Sequence, residues 1–411
     1  MTGWKKVCLG DIIEANGSTY SSKDDWSFVN YLDTGNITKN EIGNIQFIDL
    51  TCEKLPSRAK RKVKFDSILY STVRPNQLHY GIVKKQPENF LVSTGFIVVD
   101  VDTTQAVPDF VYYLLTQNEI TEHLQAIGEQ SVSAYPSIKP TDIENIEVFL
   151  PDMERQKKIV SILISIDNKI RENKAINKNL EQQALAIFNS WFGPYIYGDK
   201  PLPDSWSKKS ISELDVLVTD YVANGSFKSL AENVTYLSEE TNNVLIRLTD
   251  YNNNFDISEM IYISDESYDF LSKSSLHGDE IIISNVGANV GTVFRCPRLI
   301  KRMSLAPNAI MLRSILLQDY LYLYFTSPYG QREIKSIVTG SAQPKFNKTN
   351  FRSLNVVIPD QQMLEKFNDI CGSMYEQVTL NITENRNLKM LRDSLLPKLM
   401  SGELNISEID L

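Results

Sequence analysis

Between Lys54 and Lys64 the chain carries six basic side chains and no acid: Lys54, Arg58, Lys60, Arg61, Lys62 and Lys64. Such a run suits phosphate neutralisation, although a solvated face has the same composition. The next segment sharpens the reading. Ser71-Thr-Val-Arg-Pro-Asn-Gln77 offers Ser71, Arg74, Asn76 and Gln77. Arginine pairs with the O6/N7 edge of guanine, and Asn or Gln with the N6/N7 edge of adenine, each through two hydrogen bonds. A second set lies far along the chain. Ser284-Asn-Val-Gly-Ala-Asn289 holds Asn285 and Asn289, and Gln343-Pro-Lys-Phe-Asn-Lys348 holds Gln343, Lys345, Asn347 and Lys348. The net charge of −9 argues against a nucleic-acid binder, but phosphate contacts need cations on one face only, so a local cluster is compatible with an acidic total.

Patterns for catalysis are missing. The sequence has no G-x-x-x-x-G-K-[ST] loop, no G-x-G-x-x-G, no G-x-S-x-G elbow, no H-E-x-x-H and no Asn/Asp-Pro-Pro-aromatic tetrapeptide. Cys8, Cys52, Cys296 and Cys371 are too widely spaced for a zinc site or a disulfide framework. His79 could act as a general base, but the second set has no histidine at its place, so it reads as a polar loop residue. Asp142, Glu144 and Glu147 have the look of a carboxylate cluster; their counterparts Asn350, Arg352 and Asn355 do not, which makes them surface residues of an alternating strand. No apolar stretch approaches 18 residues and Met1–Lys6 leads into no apolar region, so a cytoplasmic protein is expected.

The elements that position these residues follow from an internal repeat. Ser133-Ala-Tyr-Pro-Ser-Ile through Leu-Pro151 returns as Ser341-Ala-Gln-Pro-Lys-Phe through Ile-Pro359, an ungapped offset of 208. Phe65–Asn76 matches Gly278–Asn289 at an offset of 213, and Pro108–Thr116 matches Gln318–Thr326 at 210. Three blocks in one order establish a duplication. Within each copy, β-rich runs such as Ser67–Ser71, Phe96–Val101, Glu280–Ser284 and Asn308–Arg313 alternate with helical stretches near 108–127 and 317–337, which predicts an α+β fold of two pseudo-symmetric α/β domains.

After Pro151 and Pro359 the period changes. Ile159, Leu163, Ile166, Ile170, Asn173, Asn177, Leu180, Ala184 and Ile187 step 4-3-4-3, and the 208 offset repeats the seam as Phe367, Cys371, Met374, Val378, Asn381, Asn385, Leu388, Arg392 and Leu395. A long helix with one such seam needs a partner, and the other copy is at hand. An antiparallel coiled coil brings Asn173 and Asn177 near Asn381 and Asn385, where paired amides could fix the register. The expected plan is a domain over 1–150, a helix over 151–195, a domain over 204–358, a helix over 359–402 and an acidic tail over 403–411.

Taken together, Trp4…Leu9-Gly-Asp-Ile12, Phe65-Asp-Ser-Ile-Leu-Tyr-Ser-Thr-Val-Arg-Pro-Asn76, Gly340-Ser-Ala-Gln-Pro-Lys-Phe-Asn-Lys348, the Pro-x-x-x-x-Gln/Leu helix entries and Ser394-Leu-Leu-Pro-Lys-Leu-Met-Ser-Gly-Glu-Leu404 carry a likeness over nearly all 411 residues. The sequence resembles the specificity subunit of type I restriction–modification enzymes. The resemblance implies two target-recognition domains, each reading half of a split double-stranded DNA sequence, held apart by the helix pair. It also implies docking of two methyltransferase subunits that modify adenine with S-adenosylmethionine, and of ATP-dependent restriction subunits. The chain itself would then bind no cofactor (S-adenosylmethionine, ATP and Mg belong to the partners), touch no membrane and perform no catalysis. Two departures stand out: Ala134-Tyr-Pro-Ser where the second copy has Ala342-Gln-Pro-Lys, and Pro397 in the last helical turn, expected to end the seam. The rival readings are a duplicated protein-binding scaffold, favoured by the acidic total, and a fused nuclease or methyltransferase, opposed by the missing motifs.

Overall fold

The computed structural model of the chain describes residues 3–21, 23–130 and 136–404. Ser133, Ala134 and Tyr135 of the repeat, and the tail 405–411, lie outside the described residues. Two compact units emerge, one of residues 1–170 with 387–411 and one of 171–386. The helices expected over 151–195 and 359–402 are each divided between these two units.

In the first unit, Trp4–Cys8 pairs antiparallel with Glu147–Pro151. The central sheet runs Ile13–Ala15, Phe96–Val101, Ile68–Ser71, Tyr80–Ile82, antiparallel throughout. A second sheet, Gln46–Asp49, Phe28–Leu32, Phe90–Ser93, Ala59–Lys62, has one parallel pair, Phe28–Leu32 with Phe90–Ser93. The Ile- and Val-rich central strands are buried on both faces, as their near-continuous apolar sequence requires. Leu69 and Val98 meet Phe90 and Val92 of the second sheet on one side. On the other, Ile68, Tyr70 and Ile97 meet Phe110 and Leu114 of the helix Pro108–Leu115, and Leu124 of Asn118–Glu129.

The second unit repeats this plan. Ser207–Ser210 pairs with Asn355–Ile358. Its central sheet is Leu217–Asp220, Ala309–Arg313, Ile281–Ser284, Val293–Arg295. The other sheet again contains one parallel pair, Asn243–Ile246 with Arg302–Leu305, and gains an edge strand, Tyr236–Leu237. The helices are Gln318–Thr326 and Pro328–Ser336, separated where Ser327 accepts the Gly330 N–H as an N-cap.

The long helices are Met153–Trp191 and Gln361–Ser401, of 39 and 41 residues, about 60 Å each at 1.5 Å per residue. In the first unit Ile159 and Leu163 share a core with Leu399 and Met400. In the second, Ala184 and Phe188 share one with Leu364 and Phe367. Both arrangements are antiparallel. Pro397 does not end the seam: it sits inside the helix, and Leu399 and Met400 beyond it are buried. Burying such side chains contributes about 1.5–3 kcal/mol each, comparable with the roughly 3 kcal/mol cost of an interior proline.

Candidate nucleic-acid interface

Each domain presents a loop at the tip of a central-sheet hairpin, and both loops are fixed by the same backbone hydrogen bonds. In the first copy Thr72 donates its N–H to the Gly95 carbonyl at 2.7 Å and accepts from Ile138 at 2.8 Å, while Arg74 donates to Pro136 at 2.9 Å. In the second, Asn285 donates to Asn308 at 3.0 Å and accepts from Phe346 at 3.0 Å, while Gly287 donates to Pro344 at 2.9 Å. Arg74 and Gly287 occupy one position, and both are left-handed, at φ 49° and 98°. A glycine is at ease there; an arginine is not.

The side chains on this common frame differ in part: Arg74 and Gln77 stand where Gly287 and Val290 do, while Asn76 and Asn289 agree. Arg74, Asn76 and Gln77 are exposed in the first loop, over the 3-10 turn Pro75–Gln77, and the Asn76 N–H is held by Gln125 Oε1 at 3.2 Å. Gln125 lies on the helix Asn118–Glu129 and no motif announced it. In the second copy Asn289, Gln343 and Lys345 are exposed. Four expected contact residues of these loop segments are committed elsewhere. Ser71 is buried and its hydroxyl bridges to Val73 O and N–H. Asn285 is half-buried and donates to the Phe346 carbonyl at 3.2 Å. Asn347 caps the helix Lys348–Arg352 by accepting the Asn350 N–H at 2.7 Å. Lys348 forms an ion pair with Asp220 at 3.0 Å.

The basic run is not one face. Ala59–Lys62 is an edge strand in which Lys62 pairs with Leu91 and Arg61 with Val92, so these two point to opposite faces, and a register shift leaves Lys60 unpaired in the ladder. Lys60 is exposed. Lys62 forms an ion pair with Asp24 and lies 5.3 Å from the Trp26 ring centre. Its hydrogen bond, with the Ser21 N–H, holds the Asp24 carboxyl below its ordinary range. Arg61 is half-buried, and its Nε has no hydrogen-bond partner among the described residues. His79 is a loop residue whose Nδ1 lies 2.7 Å from the Ile37 carbonyl. Asp142 and Glu144 are not on a strand: they belong to the helix Pro140–Glu144, where Asp142 accepts the Lys139 N–H at 2.6 Å.

At mid-helix, the four asparagines are buried. Asn173 donates to Asn385 Oδ1 at 3.0 Å and to Glu384 at 2.7 Å; Asn381 donates to Asn177 Oδ1 at 2.7 Å. In the first unit, Arg392 holds Asp167 at 2.9 Å, and the Tyr113 hydroxyl donates to the same carboxylate at 2.6 Å. Burial, with Asp167 beside it, pushes the Tyr113 phenol well up.

The family described as "Type I restriction modification DNA specificity domain" matches residues 1–182 and again 205–386. The chain belongs to this family. It is a specificity subunit with two DNA target-recognition domains. The sequence is 25% identical to the type I restriction enzyme HindI specificity subunit of Haemophilus influenzae, covering 98% of this chain and 100% of that one. It is 24% identical to the MjaIX specificity subunit of Methanocaldococcus jannaschii, over 99% and 94%. In fold the specificity subunit is similar to the crystal structure of a type I restriction–modification S subunit from M. genitalium, at a TM-score of 0.56 and 14% identity over 97% and 96% of the two chains. Among the described residues of the specificity subunit no helix is long and apolar enough to cross a membrane.

Proposed function

We propose that each domain reads one half of a bipartite, asymmetric DNA sequence through its hairpin loop. The observation that carries this reading is the common backbone frame bearing partly unlike side chains: Arg74, Pro75 and Gln77 in one copy stand where Gly287, Ala288 and Val290 stand in the other, while Asn76 and Asn289 agree. A duplicated frame keeps the approach to the groove the same, while unlike side chains demand unlike bases. Lys60 and Lys345 supply phosphate contacts. The specificity subunit docks two adenine methyltransferase subunits and, in the full complex, restriction subunits. S-adenosylmethionine, ATP and Mg bind to those partners. The chain acts in the cytoplasm and has no catalytic activity of its own.

The test is domain exchange. Replacing residues 204–358 with the matching domain of another family member should change one half of the methylated sequence in a genome-wide methylation map and leave the other intact. A change in both halves refutes the modular reading. Methylation, ATPase or cleavage by the purified chain without partners refutes the non-catalytic one.

A further inference from the structure

The hairpin that carries the second reading loop also grips the second long helix. Its strands are Ile281–Ser284 and Val293–Arg295, residues 285–292 form the tip, and Arg295 and Arg298 follow at the base. The Arg295 guanidinium carbon lies 3.8 Å from the ring centre of Tyr375 on the long helix and 4.4 Å from that of Tyr322. The same guanidinium donates to Asp319 at 2.7 Å. Arg298 sends its two terminal nitrogens to the Glu376 carboxylate at 2.9 and 2.8 Å, while its Nε reaches Asp279 at 2.7 Å. Two neighbouring residues of the long helix are thus clasped by two arginines of one hairpin.

A guanidinium fixed on its faces and along its edge has a set orientation, which an ammonium would not have. The strands between clasp and tip are only three or four residues long, about 10 Å at 3.4 Å per residue. A rotation at the clasp is therefore carried to the reading loop by a short hydrogen-bonded element. The first copy is mounted differently. Ile82 and Lys85 stand at the matching places, and Lys84 holds Asp66 and Asp109 at 2.6 and 2.7 Å within the domain.

Resting on the two-half reading above, we propose that Arg295 and Arg298 are positioning residues that set where the second loop meets the DNA. They act on the permitted spacing of the second half-site, not on its sequence. The chain, assembled with its methyltransferase subunits, is assayed on duplexes with the two half-sites at the native separation and at one base pair more or less. Arg298→Glu should raise methylation at the wrong separations about tenfold relative to the native one, with sequence preference in both halves unchanged. Combining Arg298→Glu with Glu376→Arg rebuilds the pair in reverse and should restore the discrimination. Glu376→Gln, at a half-exposed site, should shift it in the same direction as Arg298→Glu and guards against a folding failure.

An active Arg298→Glu or Glu376→Gln variant with wild-type spacing discrimination overturns the proposal. So does a reverse pair that recovers activity without the discrimination. If the wild-type complex ignores the sequence of either half, the two-half reading fails instead, and that result is separable from the others.

Discussion

Arg74 holds a left-handed backbone that its counterpart Gly287 adopts freely. Such a conformation costs a non-glycine residue about 1–2 kcal/mol. Glycine would relieve that strain but raise the entropy of the unfolded chain by about 0.5–1 kcal/mol. Arg74→Gly should therefore raise stability by no more than about 1.5 kcal/mol in a denaturant titration. It should also relax selectivity at one base of the first half-site by about 1–3 kcal/mol if the contact is bidentate. Retained selectivity would remove Arg74 from the reading set. The residue types of the loops were legible in the sequence, but their commitments were not. Lys62 and Lys348 look like phosphate ligands until Asp24 and Asp220, 38 and 128 residues away, are seen beside them. Asn347 looks like a base reader until the helix it caps is seen. Arg295 and Arg298 gave no signal at all, because the repeat replaces them with Ile82 and Lys85.

At the scale of the element, the asparagine layer joins the two long helices through amide pairs inside a mostly apolar seam. Asn177→Leu alone leaves the buried Asn381 amide without its acceptor, which should cost about 1–3 kcal/mol. Asn177→Leu with Asn381→Leu removes both partners and should recover most of that loss. A chemical-denaturation double-mutant cycle measures the coupling; additive single effects would show that the pair contributes nothing. The seam itself was readable, since a 4-3 period repeated at an offset of 208 leaves little freedom in which face is covered. Continuation of the helix through Pro397 was not. It depends on Leu399 and Met400 finding a core that includes Leu9, nearly 400 residues earlier. Nor was the helical placement of Asp142, which rests on a capping bond to the Lys139 N–H and not on any apolar period.

At the scale of the whole chain, alkaline pH should act first on buried phenols and thiols. Burial pushes Tyr80 up to about 12 and, with Asp319 nearby, Cys371 up to about 12. A group with a raised folded value keeps its protons longer in the folded state, so its contribution is complete below the ordinary value and is lost as pH rises through the folded one. Thermal midpoints should fall progressively between about pH 9 and pH 12; a flat profile there would show that these groups ionise freely in the folded chain. Length is the other global property. The Asn173–Asn385 and Asn177–Asn381 pairs place 178–184 opposite 374–380, a segment that bears Tyr375 and Glu376. Removing it would cut the clasp as well as the helix. The segments 171–177 and 381–387 face each other and carry neither clasp residue nor Asp167 or Arg392; they do carry the four asparagines, so their deletion removes the polar layer whole and leaves no buried amide unpaired. Deleting both shortens each helix by about 10 Å at 1.5 Å per residue and preserves the seam phase to about 20°. With base pairs about 3.4 Å apart, the unread spacer should contract by at most about three base pairs, while both half-site sequences persist. Genome-wide methylation mapping decides it: an active deletion variant with an unchanged spacer would mean that the helices do not set the distance.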